Sequence, residues 1–351
     1  MEIQSVSAWS PIQPTRHVNR SLSLPIRATA AASLASPESG GSAARRMFVF
    51  GTGYVGRYVS DRLRKGGGWY VSGTCKDPVK KKELEEIGLD VFLFDANSND
   101  ELTSLNTLQS SSHLLISIPP VVDVGDPLLY RHEESLRSAL SCGNLQWLCY
   151  LSSTSVYGDC GGAYVDENYP ANPLSEFAKA RLSAEKGWLK LTHSLGVPTY
   201  IFRLGGIYGP GRSALDTIIK QESLSKAQRI RESKQYTARI HVADIYQAIE
   251  ASFNIQSSRK IYNIVDDDPA PRDEVFAFAR ALIEARWPGQ LKEVSPGGVS
   301  DLTPVRKING EKRVSNALMK SELGVSLLHP SYRSGLQCIA DSWEDPFKGK
   351  M

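Results

Sequence analysis

Residues 47–67 read MFVFGTGYVGRYVSDRLRKGG: a short apolar run, three glycines spaced Gly51-x-Gly53-x-x-Gly56, then apolar residues at helical period up to closing glycines. Strand, glycine turn and helix follow without a break, which predicts the opening unit of a dinucleotide-binding fold. Gly51 permits a tight turn, Gly53 lets the backbone approach a pyrophosphate, and Gly56 lets the helix pack on the strand. The phosphate then sits on the positive end of the helix. Gly51, Thr52, Gly53, Tyr54, Val55 and Gly56 are therefore the expected cofactor cradle.

The second strand, WYVSG, runs into TCKDPVKKKELEEIG. An acid at this strand end would hold the ribose 2′-hydroxyl of NAD, but the position falls on Cys75, followed by Lys76. A cation suits a 2′-phosphate, so NADP(H) is expected over NAD(H); a register shift that brought Asp77 to the strand end would reverse the choice. Lys80, Lys81 and Lys82 opposite Glu83, Glu85 and Glu86 read as a solvated helix face. VFLFDA predicts a third strand, with Asp95 and Ala96 at the adenine edge. HLLISIPP predicts a fourth, whose end at Ser117, Ile118 and Pro119 borders the nicotinamide half.

Strands and helices alternate from 47 to about 205, which implies an α/β fold: a doubly wound parallel Rossmann sheet with helices on both faces. Ligands are expected across the C-terminal ends of its strands. Residues 206–351 read as a smaller α/β substrate lobe, with segments near 239–265 returning to the 47–205 domain.

The 46 residues ahead of the cradle differ in kind. They carry Arg16, Arg20, Arg27, Arg45 and Arg46, no Lys, only Glu2 and Glu38 as acids, and many Ser, Ala and Pro. That composition reads as a transit peptide. Pro11 and Pro14 break the helix of a mitochondrial signal, and IRATAAASLAS resembles the end of a chloroplast transit sequence. The expectation is import into the chloroplast stroma with cleavage near Ala28; the alternative is a disordered tail.

The whole chain has 41 Lys and Arg against 38 Asp and Glu, and without the five arginines and two acids of the first 46 residues it is formally neutral. No basic field argues for nucleic acid. No apolar run approaches the ~18 to 20 residues of a membrane-spanning helix. The five cysteines contain no CxxC and the six histidines show no zinc-ligand spacing, so no metal is expected. Cys149 and Cys160 are a conceivable redox pair, with buried inert thiols the main reading.

QWLCYLSSTSVYGD (146–159) resembles the fifth strand of extended short-chain dehydrogenases/reductases, the NAD-dependent epimerase/dehydratase family. FRLGGIYGPGR (202–212), RIHVADIYQAI (239–249), KIYNIVDDDPAPRDEV (260–275) and KRVSNALMKSELG (312–324) resemble that family's later landmarks in the same order. The GxGxxG spacing and SSTSVYGDCGGAYVDE are similar to an atypical branch that includes the bacterial YeeZ-like proteins. The resemblance implies that Ser153 takes the active-site hydroxyl position and that Leu204 borders the cofactor. The catalytic YxxxK pair should fall in PLSEFAKAR (173–181), where Phe177 stands in the tyrosine's place and Arg181 in the lysine's.

A phenol beside an ammonium can exchange a proton with a carbonyl near neutral pH, whereas a phenyl ring has no proton to give. Arg181 stays charged, yet it can still donate hydrogen bonds to the nicotinamide ribose. Other proton sources are Tyr157, Tyr164, or Ser153 through water; His241, Asp166 and Glu167 read as structural or solvated. Family members that act on sugar nucleotides often carry an Asn where this chain has Gly206. Arg212, Arg229, Arg231 and Arg239 nevertheless keep an anionic small-molecule substrate in view.

Three functions remain open at this level. The first is an NADP(H)-dependent oxidoreductase acting on a small plastid substrate. The others are a non-catalytic NADP(H)-binding scaffold or redox sensor, and a sugar-nucleotide epimerase or dehydratase. Either a monomer or a homodimer fits the sequence.

Overall fold

The computed structural model describes residues 45–98, 100–141, 144–220, 235–255, 259–291 and 311–348. The segment on which the plastid reading rests lies outside these residues almost entirely. Its last two arginines do not: Arg45 and Arg46 open strand β1 (Arg45–Phe50), paired with Trp69 and Tyr70, so the folded region begins earlier than the tail's composition suggested.

In β1, Met47 through Phe50 are all fully buried, as a central parallel strand covered on both faces must be. Met47 and Val49 face one side cluster and Phe48 and Phe50 the other. Helix α1 (Tyr54–Gly66) follows, burying Val55, Val59 and Leu63 at four-residue spacing and stopping at Gly67 in positive φ. Strand β2 (Trp69–Cys75) and helix α2 (Pro78–Glu86) come next. Asp77 is the α2 N-cap, its carboxylate accepting from the Val79 amide at 2.9 Å. The strand end therefore falls at Cys75.

Strand β3 is Asp90–Leu93, so Asp95 and Ala96 lie just beyond it rather than within it. Then follow β4 (His113–Ile116), α3 (Pro127–Leu140), β5 (Trp147–Ser153), a 3-10 turn (Thr154–Tyr157), β6 (Tyr164–Val165), α4 (Glu176–Leu195) and β7 (Thr199–Leu204). The C-terminal part holds β8 (Gly206–Tyr208), α5 (Ala214–Lys220), β9 (Arg239–His241), α6 (Val242–Ser252), β10 (Arg259–Ile264), α7 (Arg272–Arg286), β11 (Arg313–Val314), α8 (Ala317–Leu323) and α9 (Tyr332–Asp341).

The main sheet has seven parallel strands in the order β10-β7-β5-β4-β1-β2-β3. Strand order reverses between β1 and β4, and such a switch point leaves a crevice beyond the strands' C-terminal ends. β10 completes the sheet from beyond residue 206, and α6 packs in the same apolar cluster as α1. A separate cluster built on α5, α7 and α9, with Tyr208, Ile218, Val275 and Leu336, forms the core of the remaining C-terminal part.

Helix α4 is fixed to the sheet by charge. Glu185 on α4 and Arg203 in β7 are both buried, with Arg203 Nη2 donating to Glu185 Oε2 at 2.8 Å and Nε to Oε1 at 3.1 Å. Ser152 donates to the same carboxylate, and the guanidinium lies 4.8 Å from the Tyr157 ring centre. The conceivable redox pair is not formed, in keeping with the main reading of separate thiols: Cys149 and Cys160 are free and pack in different apolar clusters, and burial pushes the Cys149 thiol well up.

Replacing Glu185 with Leu leaves Arg203 as an unpaired buried charge and should cost about 3–5 kcal/mol in unfolding free energy by denaturant titration. At the other end of the sheet, His113 sits among Trp69, Trp147 and Phe253 at ring separations of 4.7, 5.8 and 5.0 Å. Burial, assisted by Arg45, lowers its pKa to about 4. The unfolded chain then takes up a proton near pH 6.5 that the folded chain refuses, so stability present above that pH is lost as pH falls towards 4. Roughly 3 kcal/mol of the loss belongs to His113, and unfolding curves of His113→Gln should show a shallower fall across that window.

Candidate functional site

At the C-terminal end of β1 the backbone turns at Gly51, with φ of +89°, and a side chain there would press on Ile118 at 2.9 Å. A side chain at Gly56 would run into the Gly51 carbonyl oxygen. Both glycines thus exist for close approach within the protein. Gly53 is different: a Cβ built there meets nothing within 4 Å. It is the N-cap of α1, no side chain caps the helix, and no acid stands in the first turn. The open amide-lined end of a 13-residue helix is what a pyrophosphate requires, so the cradle fits a dinucleotide.

Thr52 is turned the other way. It is buried, its amide and hydroxyl both donate to the Thr74 carbonyl at 2.8 and 2.9 Å, and the Gly51 amide donates to Thr74 Oγ1. Its side chain pins the cradle to β2 and is not available to a ligand.

A cavity of about 730 Å³ opens beside the cradle. Gly53, Tyr54, Val55, Ser117 and Pro119 line one side; Leu151 to Ser155, Arg181 and Leu204 to Tyr208 line the next; the C-terminal part supplies the rest through α5, α7, α9 and residues 236–239. Ser153 caps the 3-10 turn, its Oγ accepting from the Ser155 amide at 3.2 Å. Arg181 Nη1 donates to the Leu151 carbonyl at 2.9 Å. Tyr54 donates to the Pro210 carbonyl at 3.1 Å, tying the cradle helix to the C-terminal part. Burial, opposed by Arg212, pushes its phenol up to about 12.

The α4 helix starts where the sequence placed it, because Ser175 caps it by accepting from the Ala178 amide. Phe177 and Arg181 share a helix face, but only Arg181 lines the cavity; Phe177 is 68% exposed. Tyr157 must be corrected: it is fully buried, its hydroxyl donates to Asn263 Oδ1 at 2.8 Å, and it faces the core rather than the cavity. Tyr164 is also misplaced for proton transfer, being exposed beneath the Arg313 guanidinium. Glu167 accepts from the Asn263 amide and His241 caps α6, both structural tasks. Asp95, Ala96 and Lys76 lie at the ends of β3 and β2, outside the cavity lining, and Asp95 Oδ1 accepts from the Asn97 amide.

Arg212 and Arg239 do line the cavity, whereas Arg229 and Arg231 fall outside the described residues. Arg239 Nη1 donates to the carbonyls of Thr237 and Ala270, each at 2.8 Å; burial pulls its guanidinium down, against the attraction of Asp266. Arg272, Lys220 and Lys312 also line the cavity, and no sequence signal had singled them out. With Arg181, six cationic side chains meet two carboxylates, Asp216 and Glu311. Among the described residues no group of three or more potential ligands is placed to hold a metal ion, and no helix is long and apolar enough to cross a membrane.

Residues 130–264 match the NAD dependent epimerase/dehydratase family. Protein YeeZ of Escherichia coli K12 is 25% identical over 272 residues, covering 76% of this chain and 94% of YeeZ. A solved structure of a conserved protein of unknown function from Silicibacter pomeroyi is 32% identical and covers 86% of this chain and all of that one, with a TM-score of 0.67. The UDP-glucuronic acid 4-epimerase of Bacillus cereus, solved with UDP-glucuronic acid and NAD, shares the fold at 19% identity, with a TM-score of 0.61 over 84% of this chain and 98% of that one.

Two glycine substitutions should separate the cradle's two jobs. Gly53→Val fills open space and should leave the unfolding midpoint nearly unchanged while weakening NAD(P)H binding in calorimetry by at least about tenfold, roughly 1.4 kcal/mol. Gly56→Val, which collides with backbone, should lower the unfolding midpoint itself.

Proposed function

From the match of residues 130–264 to the NAD dependent epimerase/dehydratase family, we propose that the chain is a member of that family and an NADP(H)-dependent oxidoreductase acting on a small anionic substrate. One observation carries this reading: the cradle, the Ser153–Arg181 pair and a cation-rich wall line the same cavity. A nicotinamide cofactor bound there supplies or accepts a hydride.

The chain's own residues would do the rest. The amide-lined start of α1 holds the pyrophosphate, and Lys76 at the end of β2 meets a 2′-phosphate. Asp77 does not compete for the ribose, because its carboxylate caps α2. Arg181 keeps one N–H on Leu151 and has others to offer to ribose hydroxyls. Ser153 accepts a hydrogen bond from Ser155, which leaves its own proton for a substrate oxygen. The surplus of cations concentrates anions in the cavity. Phe177 cannot donate a proton, so the acid must come from elsewhere.

A sugar nucleotide is the second reading for the same cavity. The cation-rich wall favours it, as does the likeness to an epimerase solved with UDP-glucuronic acid. Exposed Phe177 in place of the acid favours a third, a cofactor-binding scaffold or redox sensor.

Calorimetric titration with NADPH and NADH, followed by turnover of carbonyl compounds and UDP-hexoses, separates the three. NADPH should bind at least about tenfold tighter than NADH, and Lys76→Glu should abolish that preference. Equal binding of both cofactors, indifferent to Lys76→Glu, would remove the 2′-phosphate assignment. UDP-hexose interconversion without net cofactor change would establish the second reading, and tight binding without any turnover the third.

A further inference from the structure

The sequence sets Arg212 among the substrate cations; the structure sets it on the cradle helix. GPGR (209–212) has Pro210 in second place and Gly211 in third, with φ of +75°, the pattern of a type II turn. The Arg212 amide donates to the Gly209 carbonyl at 3.0 Å and the Gly209 amide to the Arg212 carbonyl at 3.1 Å, which closes the turn. This turn lies directly on the first residue of α1. Tyr54 donates to the Pro210 carbonyl at 3.1 Å, and a Cβ built at Gly209 would stand 2.5 Å from the Tyr54 hydroxyl oxygen, so only glycine allows the approach. At the end of the turn the Arg212 guanidinium carbon sits 5.4 Å from the centre of the Tyr54 ring. Tyr54 follows Gly53, the open N-cap, and all three residues line the same cavity.

Charge decides what this arginine faces. A helix end offers roughly half an elementary charge, whereas each of the two phosphates of a dinucleotide is negative, so the cradle amides leave most of that charge uncompensated. Arg57, the cation in the first two turns of α1, is outside the cavity lining. Arg239 and Arg272 lie over Tyr332 and Phe276, on the wall built by α9 and α7. Arg212 is the lining cation that rests on α1. Among the described residues its exposed guanidinium makes no hydrogen bond or ion pair, and the Asp216 carboxylate accepts instead from the Ser213 hydroxyl at 2.5 Å. Stacking on a ring leaves the in-plane N–H donors of a guanidinium open to phosphate oxygens.

Resting on the cofactor part of the reading above, we propose that Arg212 clamps the pyrophosphate of the bound nicotinamide cofactor together with the α1 amides. Tyr54 is a positioning residue: its ring carries the guanidinium and its hydroxyl holds the turn in place. The C-terminal part thereby takes a share in cofactor binding. NADPH and NADH have the pyrophosphate in common, so both gain equally from Arg212, while Lys76 at the 2′-phosphate separates them.

The test is calorimetry of the full chain with NADPH and with NADH. Arg212→Gln should weaken both by at least about tenfold, with the ratio between them held within about twofold. The loss should follow the charge, smallest in Arg212→Lys and largest in Arg212→Glu. In a Tyr54→Leu background Arg212→Gln should cost at least about threefold less than in the wild type, because the platform is already gone. Should Arg212→Gln lower the unfolding midpoint, the comparison of Arg212→Lys with Arg212→Glu still decides. Cofactor binding by the wild type that Arg212→Gln leaves unchanged, or losses that do not follow the charge, would overturn the clamp alone. A loss confined to NADPH would do the same, by moving Arg212 to the 2′-phosphate, and additive losses would overturn the part given to Tyr54. A wild type that binds neither cofactor would overturn the oxidoreductase reading and the inference with it.

Discussion

The buried contact between Glu185 and Arg203 is the constraint on which the site geometry rests. It joins α4 to β7, takes in Ser152 of β5, and stacks its guanidinium on Tyr157. Ser153 is the next residue after Ser152, and Arg181 lies one helical turn before Glu185. A charge pair withdrawn from water tolerates little misalignment, because the desolvation of each partner is offset only while the hydrogen bonds hold. The hydroxyl and the guanidinium that face the cavity are therefore placed by a polar cluster behind them as well as by their own contacts with Ser155 and Leu151.

A second level of positioning comes from segments far apart in the chain. The cradle reaches the C-terminal part through Tyr54 and Pro210, more than 150 residues away. The loop after Ser153 is held by the 311–314 segment through β6 and β11. The seventh strand of the sheet also arrives late, as β10. The two-part organisation read along the sequence is thus interleaved in space, and the cavity is walled by both parts. Its charge follows from this arrangement, in which Arg181, Arg212, Arg239, Arg272, Lys220 and Lys312 come from separate segments and converge on one space.

The misplaced side chains each had a local signal that pointed the wrong way. Tyr157 follows the active-site segment directly, but the 3-10 turn rotates it into the core, where Asn263 and Arg203 take up its hydroxyl and ring. Thr52 lies inside the glycine motif, but it is spent on Thr74. Glu185 and Arg203 were readable as an acid in a helix and a lone arginine in an apolar strand, yet nothing in the spacing paired them.

The sequence by itself determined the parallel α/β class, the cradle at Gly51 to Gly56, the strand end at Cys75 and Lys76, and the start of α4 with Phe177 and Arg181 four apart. These features depend on contacts a few residues long: hydrophobic period, glycine conformation and helix capping. The tertiary structure alone decided which side chains share the cavity, that Tyr157 is excluded from it, and that Lys312 enters it. Those outcomes depend on contacts between residues as far as 156 apart, whose free energy comes from burial and hydrogen bonding formed only when the whole sheet and its returning segments close.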